Sequence, residues 1–115
     1  MTGYRAVIDS LIAIHNLSTD LIGRDRAIGL AATSVTPAMA QEALAQATTG
    51  PAAVELPGPL GKIVLSPDAR IQGIVDQWPV AIDGSRALRL GLPGPPSLVE
   101  IIRSFVDDFL KPIGS

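Results

Sequence analysis

The sequence predicts an α/β domain that is mostly helical, with two or three short strands, and three observations carry that reading. Apolar residues recur at helical spacing in several separate segments. Helix-start signals, Thr36-Pro37, Ser66-Pro67 and Ser97 with Glu100, are set off from one another by proline- and glycine-rich stretches. The extended candidates are brief, at Arg26 to Ala31, Ile63-Val64-Leu65 and Val80-Ala81-Ile82, too short to build a free parallel sheet of normal width. Strands of that kind extend another domain's sheet more often than they form their own. With 115 residues there is room for one ordinary core, so residues 1–115 are read as a single domain.

From Tyr4 to His15 the chain reads as a helix. Val7, Ile8, Leu11 and Ile12 follow the i, i+3, i+4 rule, while Ala6, Ala13 and Ile14 make its second half apolar nearly all round. Such a helix wants cover on more than one side. Asn16 to Gly23 is rich in turn residues, and Arg26 to Ala31 is compatible with a strand, weakened by Gly29. Thr36 can accept a bond from a free backbone N–H, and Pro37 suits the first helical position, so a helix starts there and stops near Thr48, before Gly50-Pro51. Pro51 to Gly61 is loop. Ser66-Pro67 starts a short helix that runs through Ile71 to Val75 and breaks at Trp78-Pro79. Asp83 is placed to cap another short helix ending at Gly91. The last helix opens with a capping box of Ser97 and Glu100. Leu98, Ile101, Ile102, Phe105 and Phe109 are read as its core stripe, and Lys111 opposes its dipole favourably.

Composition excludes several functions. Nine basic against eleven acidic residues leave no electrostatic footprint for nucleic acid or an anionic membrane. The absence of cysteine removes disulfides, thiol nucleophiles and thiolate metal sites. No apolar run approaches the ~18 residues a bilayer requires, and the N-terminus lacks the features of a signal peptide, so a soluble, cytoplasmic protein is expected. Charged residues make up only 17%, where about 25% is usual, and the mean hydropathy is positive. A lobe of a larger protein, or an obligate oligomer, carries such a surplus of apolar surface.

Catalytic sets fail mostly at the inventory stage. No Gly-x-Gly-x-x-Gly turn or phosphate loop exists, and the single His15 lacks the paired spacing of a metal site. His15 is read as a helix-end histidine near the C-terminus of its helix. Asp107 and Asp108 are adjacent in a helix and diverge by about 100°, so they are read as a solvated face rather than an acid/base pair. Trp78, the only tryptophan, is read as a core plug before a ligand wall. Arg5, Arg70 and Arg86 are candidate anion binders, each more often a surface residue.

Three stretches carry a resemblance. They are Tyr4 to Leu17 (YRAVIDSLIAIHNL), Ser34 to Met39 (SVTPAM), and Ile74 to Pro79 (IVDQWP) followed by Asp83-Gly84-Ser85-Arg86-Ala87, Leu90-Gly91-Leu92 and the capped helix from Ser97. Together they resemble the C-terminal, substrate-binding part of extended short-chain dehydrogenases and epimerases (the NAD-dependent epimerase/dehydratase family), most of all the sugar-acid, erythronate-type branch. The resemblance implies a parent oxidoreductase of carbohydrate metabolism with an N-terminal Rossmann domain, NAD or NADP as cofactor, and a Tyr-x-x-x-Lys catalytic pair. None of these is present here, since Ile8 stands where the lysine after Tyr4 would fall. This chain alone is thus expected to hold no cofactor and no catalytic residue.

Carried over by position, Arg5 is the substrate-binding residue, placed to pair with the carboxylate of a small sugar acid or hydroxy acid. Trp78, Asp83 and Ser85 resemble fold-defining residues. Nucleotide-sugar members carry Arg-x-Gly-Asp about where Gln77-Trp78-Pro79 lies, which turns the expectation away from a nucleoside-diphosphate-sugar. The expected partners are the missing Rossmann domain and the small acid. The alternative is a stand-alone binding or assembly module descended from such a lobe, which covers its apolar surface by self-association. In the first case the apolar face of the first helix is left bare, and in the second a homo-oligomer buries it.

Overall fold

The computed structural model describes residues 1–111. Six helices follow in order: α1 (Tyr4–Asn16), α2 (Thr19–Ile22), α3 (Pro37–Thr48), α4 (Ala69–Val75), α5 (Ser85–Arg89) and α6 (Leu98–Phe105), the last continuing into a π-helical turn, Val106–Leu110. Their ends obey local chemistry. Thr36 accepts from the Met39 N–H with Pro37 just inside α3. Ser97 accepts from the Glu100 N–H while the Glu100 carboxylate accepts from the Ser97 N–H, completing the capping box of α6. Asp68, two residues later than the predicted Ser66 start, caps α4 by accepting from Arg70 and Ile71. A one-turn helix, α2, forms inside the turn-rich stretch because Ser18 caps it through the Asp20 N–H.

The expectation of two or three short strands is overturned. No strand forms among the described residues; 26–31, 63–65 and 80–82 are extended or irregular chain. An extended segment gains its backbone bonds only from a neighbour in register, and none of the three finds one. What exists is a single reciprocal pair, with the Met1 amino group donating to the Thr33 carbonyl (2.6 Å) and Thr33 N–H to the Met1 carbonyl (2.8 Å). The domain is therefore helical, not α/β.

The core is small. Ile22, Ala31, Ala43, Ala47, Ala87, Leu92 and Val106 are its buried apolar members, centred where α3 packs on α6. Four of the seven are alanines, which admit close helix approach but bury little area each. Gly84 contributes in another way. A Cβ on it would lie 2.3 Å from Ala31 Cα, so only glycine lets these two backbones meet. Arg86, two residues on, holds the chain that leads to Ala31: its guanidinium donates to the carbonyls of Ile22 (2.7 Å), Asp25 (2.7 Å) and Ala27 (3.1 Å). It is a clip for residues 22–27, and the Asp83 carboxylate accepts from the Ser85 N–H ahead of it (3.0 Å). The Asp83–Ala87 motif thus has structural work.

Much of the remainder lies open. The radius of gyration is 17.6 Å, against about 13 Å for a compact domain of this length. The accessible surface is 8759 Å², against roughly 6,000 Å² for a folded monomer of this mass. Part of this surplus is the arm 57–83, exposed throughout. Trp78 sits on it and is 64% exposed, so it is not a core plug: the short extended piece after it brings no second layer to cover it. Another part is α1, whose small residues Ala6, Ser10 and Ala13 turn inward while Ile8, Leu11 (63% exposed) and Ile12 face out. The core stripe of α6 is corrected too: Leu98, Ile101 and Ile102 are half-buried, Phe105 and Phe109 are exposed, and Val106 at 2% is the anchor. The π turn contributes to that change at Phe109, since its i→i+5 bonding shifts the residues after Phe105 out of the α-helical register, while Phe105 itself lies in α6 and is left without cover.

Candidate functional site

A cleft of about 440 Å³ opens where the start of α1 faces the Pro93–Pro96 connector and α6. Gly3 makes this approach close: a Cβ there would stand 3.2 Å from Pro96 Cγ and 3.4 Å from Ile101 Cγ1. Arg5, Asp9, Glu100 and Ser104 bring polar groups to its lining, with Tyr4 beside them. Arg5 and Asp9 share a side of α1 at i, i+4 spacing, and Glu100 and Ser104 do the same on α6.

Arg5 is held in a fixed pose. Its Nε donates to Asp108 Oδ2 at 2.9 Å and its Nη2 to Asp108 Oδ1 at 2.5 Å, a bidentate pair across 103 residues of chain. The Tyr4 hydroxyl shares its proton between Asp108 Oδ2 and the Ser104 carbonyl, 2.9 Å away. The Tyr4 ring meets Phe109 edge to face, with centroids 5.5 Å apart. The electrostatic consequences follow. Hydrogen bonds from Arg5, then from Tyr4, hold the Asp108 carboxyl down at about 2. The same Arg5–Asp108 bond pushes the guanidinium further above its already high value. Tyr4 is raised, by desolvation first and by its bond to Asp108 second.

The predicted Arg5 therefore lies in a cleft with other polar groups, and the sequence reading missed its partner. Asp107 and Asp108 do diverge, as expected, but only Asp107 behaves as a solvated residue, pairing with Lys111 at 2.7 Å. Asp108 turns onto α1. A contact between residues so far apart leaves no spacing signal, and the π turn that aims Asp108 leaves none either. Arg86 is the loop clip described above, His15 is exposed in the last turn of α1, and Arg70 is exposed on α4.

A second cleft, about 720 Å³, runs between the start of α3 and the arm, walled by Met39, Val75, Trp78, Val80 and Ile82. No ionisable side chain lines it, and its walls are mostly apolar. Trp78 thus walls a cleft after all. Among the described residues no group of three or more His, Asp or Glu side chains could hold a metal ion. Among the described residues no helix is long and apolar enough to cross a membrane. A pyrophosphate would need a glycine-rich turn leading into a helix. The positive-φ glycines Gly23, Gly50 and Gly91 instead follow α2, α3 and α5.

No protein-family model and no solved structure matches the chain. The chain is 32% identical over 104 residues to D-erythronate dehydrogenase from Cupriavidus necator. That stretch is 90% of this chain and 30% of the relative, so the chain spans less than a third of the protein it matches. It is related in sequence to a part of a sugar-acid dehydrogenase.

Proposed function

We propose that this chain forms the substrate-side lobe of an NAD- or NADP-dependent sugar-acid dehydrogenase of the extended short-chain type and works together with a nucleotide-binding domain. The observation that carries the reading is the surplus of bare surface, about 2,800 Å² beyond that of a compact monomer. Obligate interfaces bury ~2,000–5,000 Å² over both partners, about 1,000–2,500 Å² on each, so a docked domain would cover most of it. The outward row Ile8, Leu11, Ile12 of α1 and the apolar arm are the surfaces it would cover. Dehydrogenation is favoured over epimerisation by the named activity of the relative, and such an enzyme belongs in the cytoplasm.

In this reading the lobe binds and orients, and the hydride and proton transfers occur against the partner domain. Arg5 donates to the substrate carboxylate, the one strongly cationic group in the cleft. Asp9 and Glu100 accept from substrate hydroxyls, with Ser104 beside them. One cation flanked by acceptors suits a molecule with a single carboxylate and a polyhydroxy tail, and the acidic flank disfavours a second carboxylate.

A self-associating module is the second reading, since the same bare α1 face would also be covered by another copy. The two separate in one experiment. Protein captured from its source with an antibody against residues 97–110 is assayed for D-erythronate-dependent reduction of NAD and NADP. Reduction that is lost in an Arg5→Ala strain supports the dehydrogenase lobe. An inactive homo-oligomer of this chain overturns it in favour of the module.

A further inference from the structure

The Arg5–Asp108 pair divides the guanidinium into two edges with separate tasks. Asp108 takes Nε and one Nη2 proton, leaving both Nη1 protons and the second Nη2 proton uncommitted to Asp108. A carboxylate can bind bidentately at that remaining end while the first pair persists. The geometry of Asp108 is itself built for the purpose. It projects from the π-helical turn, whose wide Lys111 N–H to Val106 carbonyl bond (3.1 Å) closes it and whose buried Val106 pins it to the core. Tyr4 adds a second donor to the same carboxylate, so Asp108 is held from two sides on α1.

We propose that Asp108 is a positioning residue: it fixes Arg5 by the Nε/Nη2 edge so that the Nη1/Nη2 end is presented to the cleft for the carboxylate of a small hydroxy acid. This rests on the reading of the cleft given above and adds the residue that makes its cation directional. Without Asp108 the arginine keeps its charge but samples many rotamers, and the ligand then bears the cost of ordering it.

The test uses the full polypeptide of the source that carries this chain, ¹⁵N-labelled, titrated with D-erythronate and separately with erythritol, which keeps the hydroxyls and lacks the carboxylate. Asp108→Asn should weaken erythronate binding about three- to tenfold, leave erythritol unchanged and shift the Arg5 Nε–H resonance upfield. Asp108→Glu, which restores a carboxylate, should recover most of the affinity and also covers the case in which the asparagine variant folds poorly. Erythronate affinity within twofold of wild type in Asp108→Asn, alongside its loss in Arg5→Ala, overturns the role of Asp108 and leaves the cleft reading standing. Full wild-type protein that does not respond to erythronate, or an Arg5→Ala form that binds it as well as wild type, overturns both.

Discussion

Arg5 and Asp108 meet as a two-bond ion pair that ties the first turn of α1 to the π turn after α6. Its pH dependence follows from the Asp108 carboxyl, held at about 2 against an ordinary 3.8. A depressed carboxyl stabilises the fold above its unfolded value and loses that contribution as pH falls through the folded one. The pair is therefore intact above about pH 4 and released toward pH 2. A carbon-detected titration of Asp108 should show a midpoint near 2, and one near 3.8 would contradict the pairing. Both side chains are partly exposed, so Asp108→Asn should flatten the acid limb of stability only modestly.

Gly84 approaches the Ala31 backbone more closely than any other described glycine approaches a neighbour, with an added Cβ 2.3 Å from Ala31 Cα. Gly84→Ala places a methyl group against main chain that has no rotamer to yield, at an expected loss of about 1–3 kcal/mol. Gly58→Ala is the control, because nothing lies within 4 Å of its added Cβ. Urea midpoints should fall for the first and hold for the second.

Arg86 bonds three carbonyls of one loop. Arg86→Ala leaves them without that donor and should cost about 2 kcal/mol, measured by urea unfolding. Arg86→Lys should recover less than half, since one ammonium cannot reproduce the planar fork. Equal stability of the lysine and arginine forms would show that charge alone acts there.

The outward row on α1 makes the opposite prediction. Leu11→Ser at a 63% exposed position should change the stability of the isolated chain by no more than about 0.5 kcal/mol. The same substitution should lower binding of a hydrophobic dye and weaken association with whatever covers the face. A large loss of stability in the isolated chain would place Leu11 in its core.

The helices were largely legible because their signals are local: Thr36-Pro37 and the Ser97–Glu100 box mark starts that the structure keeps. The strands failed because Ile63-Val64-Leu65 and Val80-Ala81-Ile82 have extended composition but no partner, and pairing is not a local property. Trp78, Phe105 and Phe109 were misplaced for a related reason. Hydrophobicity shows that a residue would be stabilised by cover, not that this chain supplies it. At the site, Arg5 was reached through resemblance and its cleft-mates Asp9 and Glu100 share helical spacing with residues already noted. Asp108 could not be reached, since its contact depends on the π turn and on a separation of 103 residues.

The most direct measurement is the intact mass of the protein in its source, detected through an antibody against residues 97–110. A polypeptide about three times this length is expected, because the matched stretch is 30% of the related dehydrogenase. A species of 115 residues alone, stable and monomeric, would contradict it, since nothing would then cover the bare face of α1.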